Sequence, residues 1–199
     1  QMLTEVRYLF QHALLRDAAY EMQLRARRRN LHALAADAIA ELHTADLSPY
    51  YGDLAHHNRM AERDHEELTY TMLAGEQAAR RYANDEAIAH FTRAAEIATD
   101  DAATYKALYA RAEIYATLGM SDESKADIDR MLGLVLDDEQ RAEALLLKTK
   151  YLHKTTQIDD AVKTALEVVK IAEANDWFNV QGRALNEAGH ASTTAGRLE

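Results

Sequence analysis

Three histidines and five carboxylates crowd one short stretch. In "YGDLAHHNRMAERDHEEL", His56, His57 and His65 stand near Asp53, Asp64 and Glu66. Imidazoles and carboxylates are ligands of zinc-class metals and the working groups of general acid–base catalysis. The spacing weighs against a shared ion. Neighbouring side chains leave a helix about 100° apart, so His56 and His57 do not chelate one metal by themselves. No His-x-x-x-His pair with a glutamate between occurs. These residues read as packed or exposed histidines, with a histidine–carboxylate metal or catalytic site near 53–66 as the alternative. No catalytic, cofactor-binding or metal-ligating residue is assigned on this basis, and no cofactor.

A second cluster lies upstream. Arg25, Arg27, Arg28 and Arg29 fall within five positions. Phosphate binding is the chemistry such a run offers. No lysine or aromatic residue interleaves it, and the chain carries a net charge of −10, which disfavours nucleic acid and anionic membranes. Six arginines against Glu5, Asp17 and Glu21 leave the first 33 residues at +3 and the remainder at −13. Cations in the first turn of a helix oppose its dipole. An acidic partner is therefore expected, either in structural ion pairs or across a docking contact with a neighbouring domain. A nucleic-acid contact through Arg25–Arg29 is the alternative.

Other catalytic patterns are missing. There is no cysteine, no Gly-x-Ser-x-Gly elbow and no Gly-rich loop with Gly-Lys-Ser/Thr. The acidic pairs Asp100-Asp101, Asp137-Asp138 and Asp159-Asp160 recur at inter-helix positions. Carboxylates there cap helices and meet the positive end of the dipole. Asn84-Asp85 is read as a cap in the same way.

The elements that must carry these side chains are helices. One proline and seven glycines in 199 residues leave little room for the turns of a sheet protein. In "DEAIAHFTRAAEIA", Ala87, Ile88, Phe91, Ala94, Ala95 and Ala98 recur at three- and four-residue steps, which makes one apolar stripe. The unit then repeats every 37 residues. Ala87, Phe91 and Ala94 align with Ser124, Ile128 and Met131, and with Ala161, Ala165 and Val168. Another helical segment precedes each unit. Spaced helix pairs in series mark a helical solenoid.

This small–large–small triplet, with Ala74-Gly75, Tyr115 and Gly119, and Ala188-Gly189 and Gly196 on the first helices, resembles the tetratricopeptide repeat. The resemblance implies an all-α, right-handed α-solenoid of antiparallel helix pairs. Repeats are expected over about 68–101, 105–138 and 142–175, with a partial repeat over 177–199. The domain division expected is 1–64 and 65–199. Ser124 and Ala165 depart from the family pattern, as does the lack of repeat-ending prolines.

Residues 8–95 resemble a different segment, the stretch that follows the winged-helix part of STAND-class signalling NTPases. These include adenylate-cyclase-type and transcription-regulator multidomain proteins of bacteria. Phe10, His12, Ala13, Leu14, Arg16, Asp17, Ala19, Tyr20, Arg28, Arg29 and His32 carry that likeness, followed by Asp53-Leu54-Ala55-His56-His57. It implies a helical linker over 1–64 and a regulatory repeat region belonging to a larger chain.

In such arrays the first helix of each pair lines a concave face. By register that face takes Met72, Glu76, Arg80, Tyr109, Glu113, Lys150, His153, Asn186 and His190. The expected function is a non-enzymatic scaffold that binds a basic or amphipathic protein or peptide segment. The location expected is cytoplasmic, since no signal-peptide core or membrane-spanning apolar run occurs. The chain stops where a fourth pair has only its first helix. Ala184, Leu185, Ala188 and Ala191 are expected to lie uncovered there and to drive weak homodimerisation through this C-terminal edge.

Overall fold

The structure is a computed structural model and describes residues 20, 22, 24–134 and 137–194. Among these residues it forms nine α-helices, one 3-10 turn and no strand. The helices are α1 (Arg25–Leu42), α2 (Tyr51–Met60), α3 (Asp64–Arg80), α4 (Asn84–Ile97) and α5 (Asp101–Leu118). There follow α6 (Ser121–Leu132), α7 (Asp138–Lys154), α8 (Ile158–Ala174) and α9 (Phe178–Thr194). The 3-10 turn, Ser48–Tyr50, opens on Pro49 and leads into α2. No helix among the described residues is long and apolar enough to cross a membrane. Phe10, His12, Ala13, Leu14, Arg16, Asp17, Ala19 and Gly196 lie outside the described residues.

The chain divides into two compact units, residues 1–70 and 71–199. The division falls inside α3, a few residues beyond the boundary expected from sequence.

In the first unit α1 packs on α2. Ala36, Leu54 and Ala55 are buried, and Arg63 grips Asp37 with both terminal guanidinium nitrogens. His43 stacks on Tyr50 with ring centroids 3.9 Å apart.

In the second unit each helix from α4 to α9 packs on the next, α5 also touches α7, and α7 touches α9. The nine triplet positions are all inside, none more than 2% exposed. Phe91 explains the small residue opposite it. A Cβ on Gly75 would stand 2.7 Å from the Phe91 ring, so only glycine lets α3 come this close. Ala78, Ala87, Phe91 and Ile114 form one buried group across α3, α4 and α5. Ala142, Leu145, Leu146, Val168, Val169 and Ala184 form another across α7, α8 and α9. Ser124 stands in place of alanine because its hydroxyl has a partner, donating to the Ala112 carbonyl at 3.3 Å.

The turns repeat with the same period. Ala83 N–H donates to Ala78 O, Met120 N–H to Tyr115 O and Gln157 N–H to Leu152 O, at 2.9–3.0 Å. Donors and acceptors both advance by 37 residues. The residue before each donor is left-handed: Tyr82 at φ 59°, Gly119 at 78°, Thr156 at 61°. This is the Schellman arrangement, in which the main chain closes its own helix end. Glu62 and Asp176 make the same turn at the ends of α2 and α8.

Several local expectations change. Gly119 suits the left-handed corner it occupies and does not serve a helix crossing, since a Cβ there meets nothing within 4 Å. Gly189 likewise opposes nothing within 4 Å. Asn84-Asp85 does not cap α4. The N-cap is Ala83 with no side-chain bond, because the Schellman turn already starts the helix there. Asp100 and Asp137 do cap, accepting from Ala103 N–H at 2.7 Å and Gln140 N–H at 2.8 Å, the second within a capping box. Asp159 and Asp160 sit in the first turn of α8, where they meet its dipole without capping. At the C-terminal end Ala184 and Ala191 are fully buried, the first in the α7–α9 core and the second with Leu152 and Ala161. These alanines are therefore not an uncovered edge, and Leu185 alone of the apolar set is exposed.

Candidate functional site

The groove residues proposed from register fall on α3, α5, α7 and α9. Two recesses gather part of them. One, of about 480 Å³, lies among α3, α4 and α5 and is lined by Glu76, Arg80, Phe91, Glu113 and Thr117 among others. The second, of about 300 Å³, lies among α5, α6 and α7, with Glu113, Thr117, Lys150, Tyr151 and Lys154 on its wall. Glu113 and Thr117 belong to both, so the two recesses adjoin. Charge along them is mixed. Glu76 lies 3.8 Å from Arg80 one turn on, and Lys154 donates to the Ala116 carbonyl.

Tyr109 sits in a third recess of about 290 Å³, with Tyr105, Lys106, Glu139, Gln140 and Glu143. The two tyrosine rings lie 5.8 Å apart. Tyr105 donates to the Gln140 carbonyl at 2.9 Å and Tyr109 donates to Glu143 at 3.2 Å. Arg183 on α9 donates to both oxygens of the same Glu143. Burial and the surrounding carboxylates push both tyrosine hydroxyls well above their ordinary pKa, so they stay protonated donors. Met72 is half-buried against the Phe91 group. His153, Asn186 and His190 line none of these three recesses.

The arginine cluster finds the acid its position calls for. Arg25 and Arg29 both donate to Glu62, and Arg28 lies over the Tyr20 ring, 5.2 Å from its centroid. Arg27 is exposed. Glu62 in turn ionises more easily than an ordinary glutamate because the two guanidinium groups bond it.

One association was not read from sequence. His32 on α1 lies against both members of the adjacent pair His56 and His57 on α2. Ring centroids are 5.6 Å apart for His32–His56, 5.1 Å for His32–His57 and 5.4 Å for His56–His57. The Nδ1 atoms of His32 and His57 are 2.8 Å apart, so one carries a hydrogen that the other accepts. On its far side His32 Nε2 is 2.9 Å from the Tyr20 hydroxyl. Burial, then His57, His56 and Arg28, hold the His32 pKa below the usual imidazole value. Burial and His56 do the same for His57, against an opposing pull from Asp53. The divergence of neighbouring helix positions holds for α2 alone. It does not keep two rings from both meeting a third that enters from α1. The signal available in sequence was His32 at the end of the arginine run, but 24 residues separate it from His56.

No family model matches the chain, and no curated protein matches it. The site must therefore be read from its own geometry.

Proposed function

We propose that the chain is a non-enzymatic interaction module. Its second unit is read as a tetratricopeptide-like, right-handed α-solenoid of antiparallel helix pairs that binds a protein or peptide segment along the face built by α3, α5 and α7. The observation that carries this reading is the pair of recesses adjoining at Glu113. The 37-residue recurrence of triplets and turns supports the repeat, as do the α5–α7 and α7–α9 contacts. Glu76 and Glu113 favour a segment with basic side chains, and the apolar floor supplied by Phe91 and Leu147 favours an amphipathic one. The resemblance to STAND-class proteins extends this to the regulatory repeat region of a larger cytoplasmic bacterial signalling or transcription regulator. There the arginine run would serve as scaffolding and as a docking patch for a neighbouring domain.

The test is a random dodecamer peptide library selected on the protein and then measured on a Glu76→Lys/Glu113→Lys variant. Peptides rich in lysine or arginine should emerge, and the variant should bind them at least about tenfold more weakly, roughly 1.4 kcal/mol. If every selected peptide binds both proteins equally, the groove is not the binding face.

A further inference from the structure

The three histidines of the first unit carry an inference beyond peptide binding. The geometry points to a metal site: His32, His56 and His57 together take one divalent transition ion of the zinc class.

Each ring offers one nitrogen, and the three nitrogens all lie within 4.8 Å of one another. Three neutral imidazoles are a ligand set suited to zinc, cobalt, nickel or copper, and the chain has no cysteine to compete with them. The closest pair, His32 Nδ1 and His57 Nδ1, is 2.8 Å apart and shares a hydrogen. Metal–nitrogen bonds of about 2.0–2.1 Å at a tetrahedral angle set ligand atoms about 3.3 Å apart. The ion takes the place of the shared hydrogen, the ring that carried it becoming the tautomer protonated at Nε2 and so staying neutral, and the two rings open by about half an ångström. His56 is the exposed member, so it gives solvent access and leaves a fourth position for water.

A second group supports the ligand set. A metal-bound imidazole donates its other N–H to a fixed acceptor, which settles the tautomer. Tyr20 stands at that place on His32, its hydroxyl 2.9 Å from Nε2. With the Nε2–H donated to Tyr20, the Nδ1 lone pair faces the ion. Tyr20 is a positioning residue here and touches no metal. Because His32 is on α1 and the other two are on α2, the bound ion ties the two helices together. It should therefore stabilise the unit in proportion to metal concentration.

The experiment uses the tag-free full chain, dialysed against chelator and titrated with zinc by calorimetry. It is then titrated with cobalt, whose visible absorption reports tetrahedral nitrogen ligation. One equivalent should bind, the cobalt band should appear, and the melting temperature should rise with zinc. His56→Ala removes an exposed ligand without opening a core and should weaken binding by more than about 100-fold, with Tyr20→Phe weakening it about tenfold. His32→Gln should abolish the cobalt band. His65→Ala, an exposed histidine outside the cluster, should change nothing. A chain that binds no zinc at tenfold excess overturns the site. So does zinc binding that survives His56→Ala and His32→Gln at parental affinity.

Discussion

Replacing Asp127 with alanine should be among the costliest polar substitutions in the second unit. Asp127 on α6 is only 4% exposed. It accepts from Arg111 on α5 at both oxygens, 2.8 Å from Nε and 2.6 Å from Nη2. The remaining terminal nitrogen of Arg111 donates to Thr92 on α4 at 2.7 Å. Three successive helices therefore meet on one guanidinium, which Asp127 holds firmly protonated. Removing one partner of a buried ion pair costs about 3–5 kcal/mol, because the other charge stays behind without compensation. The Arg111 side chain keeps 14% of its surface in water, so part of it rehydrates and the expected cost lies near about 3 kcal/mol. Removing both charges should cost less. Asp127→Leu with Arg111→Met leaves an apolar contact and one hydroxyl, that of Thr92, at about 1 kcal/mol. Urea unfolding followed by circular dichroism on the parent, Asp127→Ala, Asp127→Leu, Arg111→Met and the doubly apolar Asp127→Leu/Arg111→Met variant would measure this, the cycle being closed with the Asp127→Leu single. The double variant should lie at least about 2 kcal/mol above the sum of the singles. Half-molar salt should leave Asp127→Ala nearly unchanged relative to the parent, since buried pairs are poorly screened. If Asp127→Ala melts within about 1 kcal/mol of the parent, or the two substitutions simply add, the pair does not tie the helices as described.

Other substitutions probe the packing and the turns. Phe91→Ala empties a fully buried site and should cost about 3–5 kcal/mol, while Ala87→Leu overfills one and should cost about 1–3 kcal/mol, both by chemical denaturation. Gly119→Ala forces a Cβ into left-handed backbone and should lose about 1 kcal/mol, whereas Thr156→Gly at the equivalent turn should gain a similar amount by thermal melting. His90 is partly buried, and that burial lowers its pKa below the usual imidazole value despite Glu86 nearby. The unfolded chain therefore binds more protons at this residue. Its contribution is present above about pH 6.5 and is lost as the pH falls through the lowered folded value. Melting curves from pH 7.5 to 5.5 should show the parent losing more stability than His90→Gln.

What was legible in the sequence follows from physical range. Ala87, Phe91 and Ala94, with their counterparts 37 and 74 residues on, are buried because helical spacing and side-chain volume are local properties that print directly on the chain. The caps at Asp100 and Asp137 are local in the same sense. The cap expected at Asn84 failed because the competing main-chain turn leaves no trace in residue type when tyrosine occupies its left-handed position. Long-range polar pairs were illegible. Lys125 and Asp129, four residues apart on one helix, pair on the surface as their spacing suggests, whereas Arg111 and Asp127 are 16 residues apart on different helices and look like ordinary solvated charges. In the groove, register brought Glu76, Arg80, Glu113 and Lys150 to the two adjoining recesses, but the Tyr105–Gln140 and Glu143–Arg183 bonds depend on how α5, α7 and α9 lie together. The alanines of α9 were misjudged because an apolar stripe does not say which neighbour covers it.

The left-handed corners at Tyr82, Gly119 and Thr156 separate shape from spelling. Each corner is closed by carbonyl and amide groups that every residue but proline possesses, so copying the corner does not require copying its letter. Tyrosine, glycine and threonine occupy one geometric role. A comparison that scores residue types meets three unrelated symbols there, while a comparison of hydrogen-bond registers meets one motif three times. The repeat in this chain is more regular in which amide answers which carbonyl than in the alphabet of its side chains. Tyr82, 87% exposed and held at its corner by main chain alone, can change identity without altering the path of the helices it joins.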